Sequence, residues 1–452
     1  MSATLGDDQA ARDRRILQTT PAVRSGQRLG DAARIWWLNP ASLLIFIILP
    51  IFGSAILLAS PIMAKFGAYN FLTIGPIMLA IGSIFCMAFS SMFGERVVQY
   101  SNSSRAVSSE RVVAAILVFS LISIAAHILL VGTIIIRPSL MVAVLTGERG
   151  AIYVAKNLMN QIPGVTSFTQ VFLLALPLYG VLPHLTGRKP PTWLRNVIIA
   201  LLSLLVLRSF MIAERLTLVE AAVALIVPRV AFMSRIPPLT KFMPLIGFVT
   251  VTALFFIGEY TRSWAYYRYE YGSFFEFGYT RLVGYLATAT NNGAGILEVS
   301  GSLSAPYYTA GWYHKLPLWD FIPNPLPVNE NATNFFKAYA NEEFNNTGGL
   351  MAPFLDFGVP AGFLIHAAFG AIGGFLFSLF RRTHVVGILL FPMFYLGFMT
   401  INQAYYWTNA RVFIPLVLAI PVYYFVTYKI YGRKGWRQSG ESRGTPMSRG
   451  AF

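Results

Sequence analysis

The side chains best suited to chemistry in this sequence are arginines and carboxylates lying between long apolar stretches. Arg137, Arg149, Arg208, Arg215, Arg262, Arg268, Arg281 and Arg411 fall at what the topology below makes the external surface, accompanied only by Lys65, Lys156, Lys315 and Lys337. A guanidinium offers a planar two-pronged donor that grips phosphate, whereas an ammonium is a compact point charge. Such a set at headgroup depth suits a lipid-linked pyrophosphate. Arg208, Arg215, Arg268, Arg281 and Arg411 form the preferred binding set: Arg208 and Arg215 flank a turn, and Arg411 opens the last apolar segment. Taken singly, each arginine equally suits snorkelling to headgroups or pairing with acids such as Glu148, Glu214 and Glu270.

The acids on the same side include Glu214, Glu298, Glu330, Glu342, Glu343 and Asp356, any of which could take a proton from a sugar hydroxyl as general base. Glu342 and Glu343 are adjacent, so on a helix they point about 100° apart and only one faces a given site. Cys86 is the only cysteine, and His127, His184, His314, His366 and His384 are scattered. That pattern excludes a disulfide within the chain and argues against a built-in metal site; no cofactor is expected.

The elements that must hold these groups are membrane helices. Hydrophobic residues are 55% of the 452 and charged residues 12%, too few for a water-facing surface. The net charge of +16 is read as membrane topology, not nucleic-acid binding, because no recognition motif accompanies it. Ten segments have the length and apolarity of spans: 42–63, 71–93, 112–136, 168–185, 194–211, 216–233, 242–258, 355–380, 385–404 and 412–430. With both termini inside, 23 of the 35 lysines and arginines fall on the cytoplasmic side, as the positive-inside bias requires. The polar, Arg-rich start (1–41) and the tail (432–452) read as cytoplasmic and disordered, with no cleavable signal peptide.

The segment 259–350, between helices 42–258 and helices 351–431, is expected to be a large external loop, ordered and partly helical, with 281–298 lying along the membrane surface. It holds 21 aromatic residues, among them Trp264, Trp312 and Trp319. These suit an interfacial belt and a sugar-binding groove alike, with Trp312 the candidate sugar contact. Intramembrane acids are scarce, Glu220 being the clearest, and no internal repeat is visible. Both features count against an ion-coupled transporter.

The string EFNNTGGLMAPFLDFGVPAGF, Glu343 to Phe363, resembles the place where the large external loop of O-antigen polymerases (Wzy-type oligosaccharide repeat-unit polymerases) returns to the membrane. The matching features are Asn345, Asn346, Thr347, Asp356, Phe357, Gly358 and Gly362. RLVGYLATATNNG, Arg281 to Gly293, and the pair Arg208 with Glu214-Arg215 are also similar to stretches of that family. The resemblance implies an all-α, GT-C-like glycosyltransferase of the bacterial inner membrane, independent of metal. Its substrates would be undecaprenyl-pyrophosphate-linked oligosaccharides as donor and acceptor, with a chain-length regulator as a protein partner. The arginines would hold the departing pyrophosphate, and Glu343, Asp356, Asn345 or Asn346 would position or deprotonate the acceptor hydroxyl. An O-antigen ligase or other polyprenyl-donor transferase is the alternative within the same chemistry; a lipid-linked oligosaccharide flippase is the alternative outside it.

Overall fold

The computed structural model describes residues 35–65, 69–97, 105–159, 165–187, 189–233, 236–302, 306–314, 323 and 330–429. Among these the regular structure is helical, apart from one short antiparallel ladder that pairs Arg105–Val107 with Thr427–Lys429. The principal helices are α1 (Pro40–Ala59), α2 (Ile74–Val97), α3 (Ser109–Ile135), α4 (Val165–Thr186), α5 (Thr192–Met211), α6 (Leu216–Ala231), α7 (Pro238–Tyr267), α8 (Phe274–Ser300), α9 (Ala352–Arg381), α10 (Val385–Thr400) and α11 (Ala410–Val426).

Seven of them, α1 to α5, α7 and α9, are long and apolar enough to cross a membrane. Their outward faces carry large apolar side chains such as Leu57, Phe89, Leu129, Phe248 and Leu364, which in water would be an aggregation surface and in lipid are solvated. The chain is a helical membrane protein. Each of the ten expected segments holds a helix, but α6, α10 and α11 span only 16, 16 and 17 residues. At 1.5 Å per residue they are shorter than the roughly 30 Å of a hydrocarbon core.

The two ends of the bundle differ chemically. At one end Trp37 Nε1 donates to Thr240 O (2.8 Å) and Asn39 Nδ2 to Glu95 Oε2 (3.1 Å), while Arg381 pairs with Glu95 and the Arg105–Lys429 ladder closes. These contacts correct the expectation of disorder for the last part of the arm: Trp37 and Leu38 are buried, and Asn39 caps the helix that follows. Residues 1–34 and 432–452 lie outside the described residues. The opposite end gathers the C-termini of α5 and α7, the starts of α6, α9 and α11, and described residues of the segment 259–350.

That segment departs from the expected surface loop. Its first residues continue α7 to Tyr267 through a π-helical turn, Tyr260–Trp264. The stretch expected to lie along the membrane surface belongs to α8, whose residues Ala287 to Ile296 are all buried within the bundle. Small and polar residues explain this: Ala287 packs on Ala59 and Met63, and Asn292 Nδ2 donates to the carbonyls of Phe344 (2.6 Å) and Asn346 (2.9 Å). A buried helix can carry asparagines only where such partners exist.

The return into α9 is also more than a helix start. Gly358 has φ +73° and ψ 177°, a conformation reserved for glycine, and it breaks α9 in two. His366 Nε2 therefore bonds Leu350 O at 3.1 Å, although sixteen residues of straight helix would separate them by about 24 Å. Residues 350–357 fold back against the long part of α9, with Phe354 against Phe363 (5.0 Å between rings).

Candidate functional site

Two ion-pair clusters occupy the end of the bundle that holds 259–350. The first joins α5, α6 and α11. Arg411 follows Asn409, whose side chain caps α11 by accepting from the Arg411 amide (3.1 Å). Its Nε and Nη2 reach the two oxygens of Glu220 (3.1 and 2.9 Å), Nη2 also reaches Thr217 Oγ1 (2.9 Å), and Nη1 pairs with Glu214. Tyr406 donates its hydroxyl to Glu220 (2.9 Å). The Gln170 amide, oriented to suit its neighbours, donates to Glu220 Oε2 and accepts from Arg411 Nη2, both at 3.1 Å.

Arg208 completes this cluster, with Nη2 on Glu214 (2.9 Å) and Nη1 on Thr169 Oγ1 (3.0 Å). Burial alone would raise the Glu214 carboxyl, but Arg411 and Arg208 outweigh it and hold the group below its ordinary range. Two guanidiniums meet two carboxylates, and every carboxylate oxygen accepts at least one bond. Of the named groups only the Nε of Arg208 is buried without a partner.

The second cluster joins α6, α7, α8 and the turn Glu342–Phe344. Arg281 donates from Nε to Glu259 Oε2 (2.9 Å) and pairs through Nη1 with Glu343. Arg215 Nη2 reaches Glu259 Oε1 (2.5 Å), and Tyr267 donates its hydroxyl to Glu343 Oε1 (2.8 Å). Asn341 fixes the Glu343 backbone by accepting from its amide (2.9 Å). Arg281 and Glu259 are sealed, each side chain 3% exposed, whereas Arg215 is 21% and Glu343 31% exposed. Arg262, in the π-helical turn of α7, adds a third positive field on Glu259 and buries its Nε without a partner. Three guanidiniums thus face two carboxylates, and the exposed carboxylate is Glu343.

The other expected site residues separate from this cluster. Asp356 is buried, and its oxygens accept from Tyr308 N (3.0 Å), Thr309 N (2.6 Å) and Thr309 Oγ1 (2.6 Å). That is the geometry of an anchor for residues 308–309, with no exposed oxygen for a hydroxyl. Asn346 gives its carbonyl to Asn292 and its amide nitrogen to Gln403 Oε1 (3.5 Å), while Asn345 is exposed. Arg268 lies over the Tyr269 ring (4.7 Å) and donates to its hydroxyl (2.6 Å), and among the described residues it makes no ion pair with either cluster. Trp312 stacks on Phe413 of α11, 4.7 Å between rings and 7° from parallel. Trp319 and the Glu342 side chain lie outside the described residues.

Of the five preferred arginines, Arg215 and Arg281 meet in one cluster and Arg208 and Arg411 in the other. The residues missed were Glu259 and Tyr267, and Arg262, named in the external arginine set, was left out of the preferred five. Their signal was present in the spacing Glu259, Arg262, Trp264, Tyr267 across the end of an apolar helix, where each charge needs a partner. Among the described residues no three His, Cys, Asp or Glu side chains gather as a metal site. Set against family models, curated proteins and solved structures, the chain matches none.

Proposed function

We propose that this protein is a GT-C-like polysaccharide polymerase of the bacterial inner membrane, joining undecaprenyl-pyrophosphate-linked oligosaccharides at the end that carries the two clusters. That end is then the external one, with both termini in the cytoplasm. The observation that carries the reading is the Arg215, Arg262, Arg281 cluster, in which positive charge exceeds negative and one carboxylate, Glu343, reaches solvent.

Such a cluster can trade partners. A donor pyrophosphate brings its own negative charge to Arg215 and Arg262, and competes with Glu343 for the guanidinium of Arg281. Glu343 is the member free to turn outward, because its partners Arg281 and Tyr267 are single hydrogen-bond donors to it and its remaining surface is wet. In the transfer, the bond from the donor sugar's anomeric carbon to the pyrophosphate oxygen breaks and its electron pair stays on that oxygen. The acceptor hydroxyl oxygen bonds the anomeric carbon and its proton passes to Glu343. The arginines stabilise the charge that builds on the leaving group, an arrangement worth about 2.7–4 kcal/mol per well-placed donor in other oxyanion sites. The products are a longer lipid-linked saccharide and free polyprenyl pyrophosphate. No metal enters this scheme.

The test is direct. Purified protein in liposomes, given lipid-linked repeats alone, should yield a ladder of longer saccharides on gels. Movement of the repeats across the bilayer without lengthening would make the protein a flippase, and transfer to a different acceptor would make it a ligase.

A further inference from the structure

A half-open cleft lies beside the Arg215 cluster, between the end of α5, the start of α6 and the side of α7. Its apolar wall is Phe210, Leu218, Leu254 and Ile257, and its polar end includes Glu214 and Arg215. Phe210 and Ile257, on its wall, are half exposed. Helix α7, which forms one whole side, is the least covered of the long apolar helices: only 17% of its most apolar stretch is buried. The cleft therefore borders the least covered of the long apolar helices, and its lining passes from apolar side chains to guanidinium.

Gly258 sits where the two parts meet. A Cβ on it would stand 2.8 Å from Arg215 Nε, so any side chain would displace the guanidinium. Arg215 passes over α7 at this point, 4.2 Å above the Phe255 ring, to reach Glu259. Beyond it lies Arg262, which acts on Glu259 but makes no ion pair among the described residues. Apolar walls leading to surplus cationic charge complement a molecule with a hydrocarbon tail and an anionic head.

The geometry points to this cleft as the lateral port through which a polyprenyl diphosphate docks from the bilayer, its chain along Phe210, Leu254 and Ile257 and its phosphates against Arg215 and Arg262, with Gly258 setting who fits. This rests on the donor lipid proposed above, but concerns where that lipid binds and not what is done with it.

The experiment uses the full chain in phosphatidylcholine nanodiscs and a polyprenyl diphosphate bearing a photoreactive group on its chain, with labelled peptides identified by mass spectrometry. The expected label falls on residues 210–218 and 254–261, is suppressed by excess unlabelled polyprenyl diphosphate, and is not suppressed by an equal excess of phosphatidylglycerol. Gly258→Leu should cut labelling at least tenfold. Because Gly258→Leu also displaces Arg215, Ile257→Trp serves as a second variant that narrows the wall without touching Arg215, and it should cut labelling several-fold at an unchanged unfolding temperature. Label elsewhere, equal competition by phosphatidylglycerol, or normal labelling of both variants overturns the port. Correct labelling without polymer formation keeps the port and removes the polymerase; polymer formation with label elsewhere does the reverse.

Discussion

The cluster around Arg411 and the cluster around Arg281 use the same two side-chain types at the same end of one bundle, yet they differ in saturation. Around Arg411 the charges balance, Glu220 is sealed with Tyr406 and Gln170 donating to its oxygens, and Thr217 accepts from Arg411. Around Arg281 the arginines outnumber the carboxylates, and Glu343 meets solvent. A buried ion pair with every partner in place holds helices in register. One with surplus charge and an exposed member can exchange a partner. Arginine count alone does not make a site; the carboxylates around it decide.

Substitutions that separate the clusters should differ first in stability. Glu220→Ala removes the buried carboxylate that meets Nε and Nη2 of Arg411 and takes the acceptor from the Tyr406 hydroxyl, and breaking a buried pair typically costs about 3–5 kcal/mol. We expect a sharp fall in membrane abundance and in the thermal unfolding temperature in detergent. Normal abundance for this variant would erase the architectural role of the first cluster.

Asp356→Ala should rank next. It removes the acceptor for two backbone amides and one hydroxyl of residues 308–309, and a buried group left unsatisfied costs about 1–3 kcal/mol. Hydrogen exchange should accelerate at the Tyr308 and Thr309 amides while the amides of α3 stay protected. Unchanged exchange with lost polymer would return Asp356 to the chemistry.

The smallest effect belongs to Trp312→Ala. It loses the stack on Phe413, worth about 0.5–1.5 kcal/mol, so the unfolding temperature should move little. A large drop in acceptor saccharide use at constant stability would sharpen the comparison by adding Trp312 to the open site.

Much of this arrangement was legible in the sequence because its cause is local. Runs of apolar residues give helices wherever they occur, and Arg208, Glu214, Arg215 and Arg411 sit at helix ends where a membrane protein tolerates charge. What lay hidden was pairing. Nothing in the order of residues says that Arg411 meets Glu220 or that Arg281 meets Glu259, since those partners are brought together by helix packing. The burial of α8 was misread for the same reason: its Asn291 and Asn292 look like solvent-facing residues until Tyr69 O, Phe344 O and Asn346 O supply their bonds. Asp356 looked like a base because its three donors come from a stretch 47 and 48 residues earlier in the chain.

The difference between the clusters is tested most directly by Glu343→Gln, assayed for unfolding temperature and for saccharide lengthening in the same preparation. Glutamine keeps an acceptor for Arg281 and Tyr267 but does not take up a proton. The account predicts an unfolding temperature close to that of the parent, since glutamine still accepts from Arg281 and Tyr267 and Arg281 keeps Glu259 as its charged partner, together with loss of the saccharide ladder. A Glu343→Gln protein that lengthens chains at the parent's rate, with membrane abundance unchanged, would contradict it.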